Sequence, residues 1–307
     1  MSWKKQGHIF QPNGQFGWMI SHAQVPTVHV MDDRFRVFFS TRNTTGKSLT
    51  ACIDIDKNNP TIIKQLYTNP VLDFGKPGTF DDDGVMPSYV LSHEGQLLMY
   101  YSGWNQRVST PYHNAMGLAI SQDNGLSFNR LSDGPIMDRS LHEPYLAVTP
   151  SVIKEHNQWK MWYVSGVKWE LIGQKYEPVY VIKYAHSTDG IHWHRPNQIC
   201  IEQQFENEAF SHPNVLKFNH TYHMWYCYRS SHDYRDGTGS YRIGYAQSSD
   251  GIAWQRKDDE VGITTSSQGW DSTMLCYPYV VNIDNQLMMF YNGNGFGKSG
   301  FGYAIWE

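Results

Sequence analysis

The chain has 307 residues, which is enough for one large domain or two of ordinary size. Its 25 Lys and Arg residues nearly balance its 29 Asp and Glu residues, so neither nucleic acid nor a membrane is an expected partner. Residues 1–7 contain no apolar leader segment, and no run of about 18 apolar residues follows, so we expect a cytoplasmic protein. The four cysteines form no CxxC pair and most histidines have no metal-ligand spacing, so we predict no metal and no cofactor.

One unit recurs five times along the chain. Each copy contains a proline, an apolar strand, a turn, an aromatic strand and a small polar cluster. The prolines are 61, 63, 63 and 65 residues apart: Pro26, Pro87, Pro150, Pro213 and Pro278. The aromatic strands read VFFS (37–40), MYYSG (99–103), MWYVSG (161–166), MWYC (224–227) and MFYNG (289–293). A hairpin repeated at this period is typical of solenoids and propellers.

A third strand and a tight turn follow in the second, third and fourth units. The third strands read GLAIS (117–121), IKYAHS (182–187) and IGYAQS (243–248). The turns are Asp-Asn-Gly at 123–125 and Asp-Gly at 189–190 and 250–251, each followed by an aromatic residue. Glycine accepts positive φ in such turns, so this is a strong hairpin signal. The Ser-x-Asp…Trp/Phe pattern resembles the Asp-box of sialidases.

These elements predict an all-β fold, a five-bladed β-propeller with four antiparallel strands per blade. The fifth unit stops after its third strand, 302–306. We therefore expect residues 4–11 to supply its fourth strand and close the ring, which leaves no unpaired inner edge. The whole chain, 1–307, is predicted to be a single domain.

A polar pocket is predicted at the centre of one face. The first two strands of each unit form a hairpin, so the start of one and the end of the other lie at the same face. Candidates before the prolines are His22, Asp81, Asp82, Asp83, Glu143, Glu206, Glu208, His212 and Asp271. Candidates after the aromatic strands are Arg42, Asn43, Trp104, Asn105, Lys168, Trp169, Arg229, Asn292 and Asn294, and Trp270 adds an aromatic face for a sugar ring. Beside His212 a water or a structural cation stays open as an alternative.

The chain resembles the five-bladed β-propeller glycosidases: the arabinanase/β-xylosidase, invertase and mannoside-phosphorylase clans. The resemblance rests on the repeat, the Tyr-Tyr-Ser-Gly and Phe-Tyr-Asn-Gly strands and the Asp-Gly turns, over essentially the whole length. It implies chemistry by carboxylates from the first three blades. Glu143 matches the general acid in type and blade, and Asp83, or its neighbours Asp82 and Asp81, matches the second-blade acid.

The first two blades depart from that pattern. The arabinanase-type pattern places Asp directly before the proline, where this chain has Val25 and Met86. Either the base then comes from elsewhere, from Asp271 or Glu208, or a different acceptor is used, or the protein is not a hydrolase.

Three functions remain open. The first is a glycoside hydrolase-like enzyme with paired carboxylates, of the inverting type, since acids on separate blades suit the wider spacing. The second is a glycoside phosphorylase, in which Arg42, Arg139, Lys168 and Arg229 would hold phosphate. The third is a non-catalytic carbohydrate-binding propeller. The expected ligand is a carbohydrate or glycoconjugate, with an anionic sugar among the alternatives.

Overall fold

The computed structural model describes residues 2–235 and 237–307. The first ten strands are β1 (Trp3–Phe10), β2 (Ser21–Val30), β3 (Arg34–Arg42), β4 (Ser48–Asp56), β5 (Ile63–Leu66), β6 (Gly84–His93), β7 (Gln96–Gln106), β8 (Tyr112–Ser121), β9 (Asn129–Arg130) and β10 (Ala147–Glu155). The other nine are β11 (Gln158–Ile172), β12 (Lys175–Ser187), β13 (Glu208–Phe218), β14 (Thr221–Ser230), β15 (Arg242–Ser248), β16 (Gln255–Arg256), β17 (Cys276–Ile283), β18 (Gln286–Asn292) and β19 (Phe301–Trp306). A 3-10 turn (Asp258–Glu260) and a short helix, α1 (Asn294–Gly297), complete the elements. No helix in the described ranges is long and apolar enough to cross a membrane.

Each repeat forms one antiparallel group of strands. The groups are β2–β5, β6–β9, β10–β12, β13–β16, and β17–β19 with β1. The first two groups share one sheet because Ser48 and Gly84 form a parallel pair between β4 and β6. That junction makes the sheet mixed, whereas we had expected antiparallel pairing throughout.

The third repeat also departs from the expected four strands. Its sheet has three, and the following segment makes isolated bridges, Lys183 with Ile199 and His186 with His194. Pro196 lies between the two bridges and has no N–H to donate to a ladder. Asn197 then takes a φ of 61°, outside the range of an extended strand. The fourth strand is therefore interrupted.

The N-terminal strand completes the group of the fifth repeat. β1 pairs antiparallel with β19, from Trp3 opposite Trp306 to Phe10 opposite Phe301. This confirms the expected pairing, with the strand one residue earlier than predicted at each end. Lys5 on β1 also forms a 2.6 Å ion pair with Asp271 of the fifth repeat.

The hydrophobic core lies between the repeats. One cluster fills each junction of consecutive repeats, and another joins the fifth repeat to the first. On β7, Met99 and Tyr101 pack toward the first repeat, whereas Leu98 and Tyr100 pack toward the third. Successive side chains on a strand point to opposite faces, so a strand covered on both faces is apolar throughout. This explains the continuous aromatic runs in the sequence.

The Asp-Gly turns connect neighbouring repeats. In the fourth repeat, Ser248 donates to Asp250, whose carboxylate accepts two backbone N–H groups. The carbonyl of Gly251 accepts a 2.7 Å hydrogen bond from the indole of Trp162 in the third repeat. The carbonyl of Gly190 accepts one from Tyr100 in the same way. The turns therefore contribute to the fold, as the sequence indicated.

Candidate functional site

A cavity of about 290 Å³ lies where the five repeats converge. It is bounded by the starts of the first strands and the ends of the second strands, as the hairpin geometry predicted. Polar and aromatic side chains dominate its wall: His22, Gln24, Arg42, Trp104, Tyr112, Asn114, Thr149, Tyr180, Ser211, Arg229, Tyr234, Arg235, Tyr241, Tyr277 and Phe296. Val25, Met86, Val148 and Val164 supply the rest. Among the described residues, no Asp or Glu lines this cavity.

The residues directly before the repeated prolines reach or approach the wall at a β-bulge. Val25, Thr149 and Tyr277 line the cavity and His212 is buried beside it, and all four have positive φ, between 45° and 57°. In these four repeats the ladder register shifts across the same residue, whereas in the second repeat it shifts between Pro87 and Tyr89. Positive φ is a strained conformation for β-branched residues such as Val and Thr, and such strain is concentrated at functional sites. The bulges re-aim these side chains toward the centre.

Neighbouring repeats hold these strained residues in place. The backbone N–H of Val25 donates to Asn292 of the fifth repeat at 2.7 Å. The N–H of Thr149 donates to Ser102 of the second repeat at 3.0 Å. The cavity wall therefore depends on the contacts between repeats.

Arg42 brings a half-buried positive charge to the wall. It donates one hydrogen bond, from Nη2 to Gln24 at 3.2 Å, and its Nε is buried without an acceptor in the described structure. No described carboxylate lies within ion-pair distance of it. Burial lowers the pKa of this guanidinium, which reflects the cost of a charge without a counter-ion.

Arg229 brings a second positive charge to the wall. It is 2% exposed, and its guanidinium stacks 3.7 Å from the ring centre of Tyr234. It donates to Ser231 at 2.8 Å and to the Pro178 carbonyl at 2.8 Å. All these acceptors are neutral, and no ion pair to Arg229 is found in the described ranges.

A third arginine, Arg235, is neutralised. It contacts Glu177 at 3.0 Å, and Glu177 also accepts a 2.6 Å hydrogen bond from Tyr234. The net charge of the described wall is therefore positive.

Two histidines belong to this centre. Burial, followed by the charges of Arg42 and Lys298, lowers the pKa of His22 to about 4. Burial lowers the pKa of His212 to about 3, and neither ring nitrogen of His212 has a hydrogen-bond partner in the described structure. Both imidazoles are neutral at pH 7, so the positive charge comes from arginine.

The structure does not bring the predicted catalytic acids to the cavity. Instead, an acid before the proline binds a cation from the outer strand in four of the repeats. The pairs are Asp81 with Arg130 (2.8 Å), Glu143 with Arg195 (2.9 Å), Glu208 with Arg256 (2.7 Å) and Asp271 with Lys5 (2.6 Å). In three of them a tyrosine of the second strand donates to the same carboxylate: Tyr101, Tyr163 and Tyr291. These pairs fasten the outer strand to the hairpin.

Asp82 and Asp83 also make local contacts. Asp82 accepts the backbone N–H of Gly78 at 2.8 Å, and Asp83 lies 3.3 Å from Lys47 and accepts the N–H of Gln106. Neither lines the cavity.

The predicted binding residues fall into two groups. His22, Arg42, Trp104 and Arg229 line the cavity, and His212 is buried beside the lining residues Ser211 and Tyr277. The others do not line the cavity. Trp169 packs behind the lining residue Tyr112, and the rest have partners outside the lining: Asn105 donates to Thr79, Lys168 pairs with Glu170, Trp270 stacks on Tyr291, Glu208 pairs with Arg256, and Asn294 accepts from Thr273.

The sequence did not reveal the tyrosines that line the cavity: Tyr112, Tyr180, Tyr234, Tyr241 and Tyr277. Tyr180 lies on β12, and Tyr234 and Arg235 lie in the loop between β14 and β15, which is longer than the loops between the second and third strands of the other repeats. Thr149 and Tyr277 could have been found, because each stands directly before a repeated proline. The bulge that makes this position important leaves no separate mark in the sequence.

The chain is similar in sequence to an uncharacterized mycobacterial protein and in fold to solved glycoside hydrolases. No protein-family model matches it. It is 34% identical over 310 aligned positions to the uncharacterized protein Rv1502 of Mycobacterium tuberculosis (strain ATCC 25618 / H37Rv), with 100% of both chains covered.

Solved structures share the fold at low identity. A glycoside hydrolase aligns with a TM-score of 0.74 and 18% identity, over 99% of this chain and 91% of its own. A thermostable family-43 glycoside hydrolase aligns with a TM-score of 0.64 and 15% identity, over 93% of this chain and 88% of its own. A mutant of the Bombyx mori GH32 beta-fructofuranosidase BmSUC1 in complex with sucrose aligns with a TM-score of 0.60 and 12% identity, over 93% of this chain and 61% of its own. The chain thus has the fold of the propeller glycoside hydrolases, as the sequence resemblance implied.

Proposed function

Since the chain belongs to the family of the mycobacterial protein Rv1502 and has the propeller glycoside hydrolase fold, we propose that it binds an anionic carbohydrate in its central cavity. The observation that carries this proposal is the pair of guanidinium groups on the wall, half-buried Arg42 and buried Arg229, which have no described carboxylate partner.

The architecture that we infer is a single domain of five blades, one per repeat. Two observations support it. The cavity takes residues from all five repeats, and a hydrophobic cluster joins the last repeat to the first as it joins the others. The pairing of β1 with β19 is consistent with a ring of sheets that the N-terminal strand closes.

The charge of the ligand follows from the cost of burying a cation. Removing a guanidinium from water costs several kcal/mol unless an anion compensates it. Arg42 and Arg229 have only neutral acceptors, so a carboxylate or phosphate in the cavity would supply the missing partner. Guanidinium groups bind both anions with parallel hydrogen bonds.

The sugar part of the ligand follows from the rest of the wall. Trp104, Tyr112 and Tyr180 offer aromatic surface, and Gln24 and Asn114 offer amides for hydroxyl groups. A volume of about 290 Å³ is at the lower end of ligand pockets and suits one sugar unit.

Glycoside hydrolysis is a second candidate, favoured by the fold match. An inverting hydrolase needs two carboxyl groups about 6.5–9.5 Å apart around the bond. Val25 and Met86 line the cavity at the positions where the resemblance implies acids. A phosphorylase would use the arginines for phosphate but still needs a general acid.

The binding proposal is tested with glucose, glucuronate and glucose 6-phosphate in isothermal titration calorimetry. We expect the two anions to bind at least tenfold tighter than glucose, and their affinity to fall as salt is raised. The Arg42→Met variant should lose this preference. Arg139→Met is the matched control, because Arg139 is 52% exposed and lies outside the lining. Equal affinity of the wild type for all three sugars, or a preference for the two anions that survives in Arg42→Met, would contradict the proposal.

The catalytic alternatives are tested by following product formation from a panel of aryl glycosides with and without inorganic phosphate. Turnover without phosphate would establish a hydrolase, and strict dependence on phosphate would establish a phosphorylase. Anion-selective sugar binding without turnover is the result that the cavity geometry predicts.

A further inference from the structure

A second cavity, of about 660 Å³, lies at the opposite ends of the strands. It is formed where the β13–β14 hairpin of the fourth repeat meets the β17–β18 hairpin of the fifth. Asn219 and Asn285 stand in the two hairpin turns. The central cavity is bounded by the other ends of the same strands, at Ser211 and Arg229. Seven residues of extended strand separate Ser211 from Phe218, so the two cavities are roughly 20 Å apart.

Aromatic rings form one part of this second cavity. Phe218, Trp225, Tyr245 and Trp306 line it, and the rings of Phe218 and Trp306 are partly exposed. Trp3 fixes the two indoles, with its ring 5.9 Å from Trp225 and 5.1 Å from Trp306. The aromatic surface is therefore rigid before any ligand arrives, which reduces the entropy cost of binding.

Amide side chains form the other part. Asn219, Gln247, Asn282 and Asn285 surround the rings. Turn chemistry accounts for Asn219 and Asn285, which have φ of 49° and 66°. It does not account for Asn282, which lies within β17 and is exposed.

The second cavity differs from the central one in charge. No Lys or Arg lines it in the described structure. Burial lowers the pKa of His223 to about 4, so this imidazole is neutral at pH 7. Its one ionised residue is Glu260, which lies 3.2 Å from Lys257. A negative charge on the ligand would therefore not strengthen binding in this second cavity.

We propose that this second cavity, between the fourth and fifth repeats, binds a neutral sugar unit of an oligosaccharide. The aromatic faces stack on the apolar side of the ring, and the amides exchange hydrogen bonds with its hydroxyl groups. The site is independent of the central cavity and of the charge of any ligand bound there.

The test is saturation-transfer NMR on the whole protein with maltotriose, xylotriose and mannotriose as probes. We expect at least one of them to bind the wild type. The double variant Asn282→Ala and Gln247→Ala should weaken that binding by roughly a factor of ten, equivalent to about 1.4 kcal/mol. Ser92→Ala is the matched control, because Ser92 is exposed at the same place in the second repeat's hairpin.

Arg42→Met separates this inference from the central site. Binding of the neutral trisaccharide should be unchanged in that variant, even if the anion preference proposed for the central cavity fails. If none of the three probes binds, or if binding is lost in Arg42→Met and kept in the double variant, the inference is overturned. Should the double variant unfold, the single change Asn282→Ala at an exposed position gives the same test.

Discussion

Arg195 donates a hydrogen bond to Glu143 at 2.9 Å, across 52 residues of sequence. Tyr163 donates to the other carboxylate oxygen at 2.8 Å, and Glu143 is 2% exposed. The same combination of acid, outer-strand cation and tyrosine occurs at Asp81 and Asp271. This relationship favours a structural role for Glu143 over the general-acid role that the sequence suggested.

The Glu143→Gln variant tests that role. It removes the charge but keeps the shape, and leaves Arg195 with a neutral partner. Breaking a buried ion pair in this way costs about 3 kcal/mol in the free energy of unfolding, which urea denaturation measures. Glu170→Gln, in the exposed pair with Lys168, should cost less than about 0.5 kcal/mol. Unchanged stability together with lost turnover on an identified glycoside would instead support the general acid.

The N-terminal strand gives a second prediction. Deleting residues 2–10 removes β1 and its pairing with β19, and leaves Asp271 buried without Lys5. We expect a lower Tm and aggregation through the exposed edge, because an unpaired edge strand is a template for pairing with another chain. Thermal denaturation and size-exclusion chromatography check this. A monomeric truncated protein with an unchanged Tm would show that β1 does not stabilise the ring.

The Asp-Gly turns give a third prediction. Gly251 has a φ of 80°, and a Cβ there would lie 3.0 Å from the ring of Trp162 in the neighbouring repeat. Gly251→Ala should therefore cost the conformational strain of about 1–2 kcal/mol plus a steric term. Gly78→Ala is the control, because Gly78 has a φ of 87° and open space around it. If both variants lose the same stability in urea denaturation, the turn does not bear on the contact between the repeats.

Most of the fold could be predicted from the sequence, because its signals are local and repeated. The prolines, the aromatic strands and the Asp-Gly turns define the hairpins, and the truncated fifth repeat indicated the pairing of β1. The three-stranded third repeat could not be predicted so readily, because it depends on Pro196 in a segment whose pairing is otherwise weak.

The candidate site was only partly predictable. Arg42, Trp104 and Arg229 were found because the ends of a hairpin lie at one face. The acids were misplaced because an ion-pair partner such as Arg195 is 52 residues away and cannot be recognised without the structure. The loop that carries Tyr234 differs in length from the corresponding loops of the other repeats, so comparison of the repeats could not reveal it.

His212 leads to a prediction about pH. Burial lowers its pKa in the folded protein to about 3, below the ordinary value of 6.5. The contribution of neutral His212 to stability is therefore complete above pH 6.5 and is lost as the pH falls toward 3. Between pH 6.5 and 5, above the range of most carboxylates, His212→Gln should reduce the slope of the unfolding free energy by up to about 1.4 kcal/mol per pH unit. An unchanged slope in His212→Gln would mean that this imidazole is hydrated in solution.

Two arginines of the first repeat, buried Arg36 and half-buried Arg42, should respond in opposite ways to the same substitution. Arg36 forms two 2.8 Å hydrogen bonds to both oxygens of Asp54, whereas Arg42 has only Gln24. Arg36→Met leaves the buried Asp54 carboxylate poorly compensated and should cost about 3–5 kcal/mol. Arg42→Met replaces a half-buried charge that lacks an anion with an apolar chain of similar length, so the ligand-free protein should become more stable by up to about 1 kcal/mol.

Ligand binding should cancel the stabilisation that we expect for Arg42→Met in the ligand-free protein. An anion that binds Arg42 stabilises only the protein that retains this side chain, so the gain of Arg42→Met should disappear as glucuronate or glucose 6-phosphate is added. Urea denaturation with and without the sugar acid measures both effects. If Arg42→Met is destabilised without ligand, then Arg42 supports the fold rather than a ligand, because its hydrogen bond to Gln24 would then outweigh the cost of its burial.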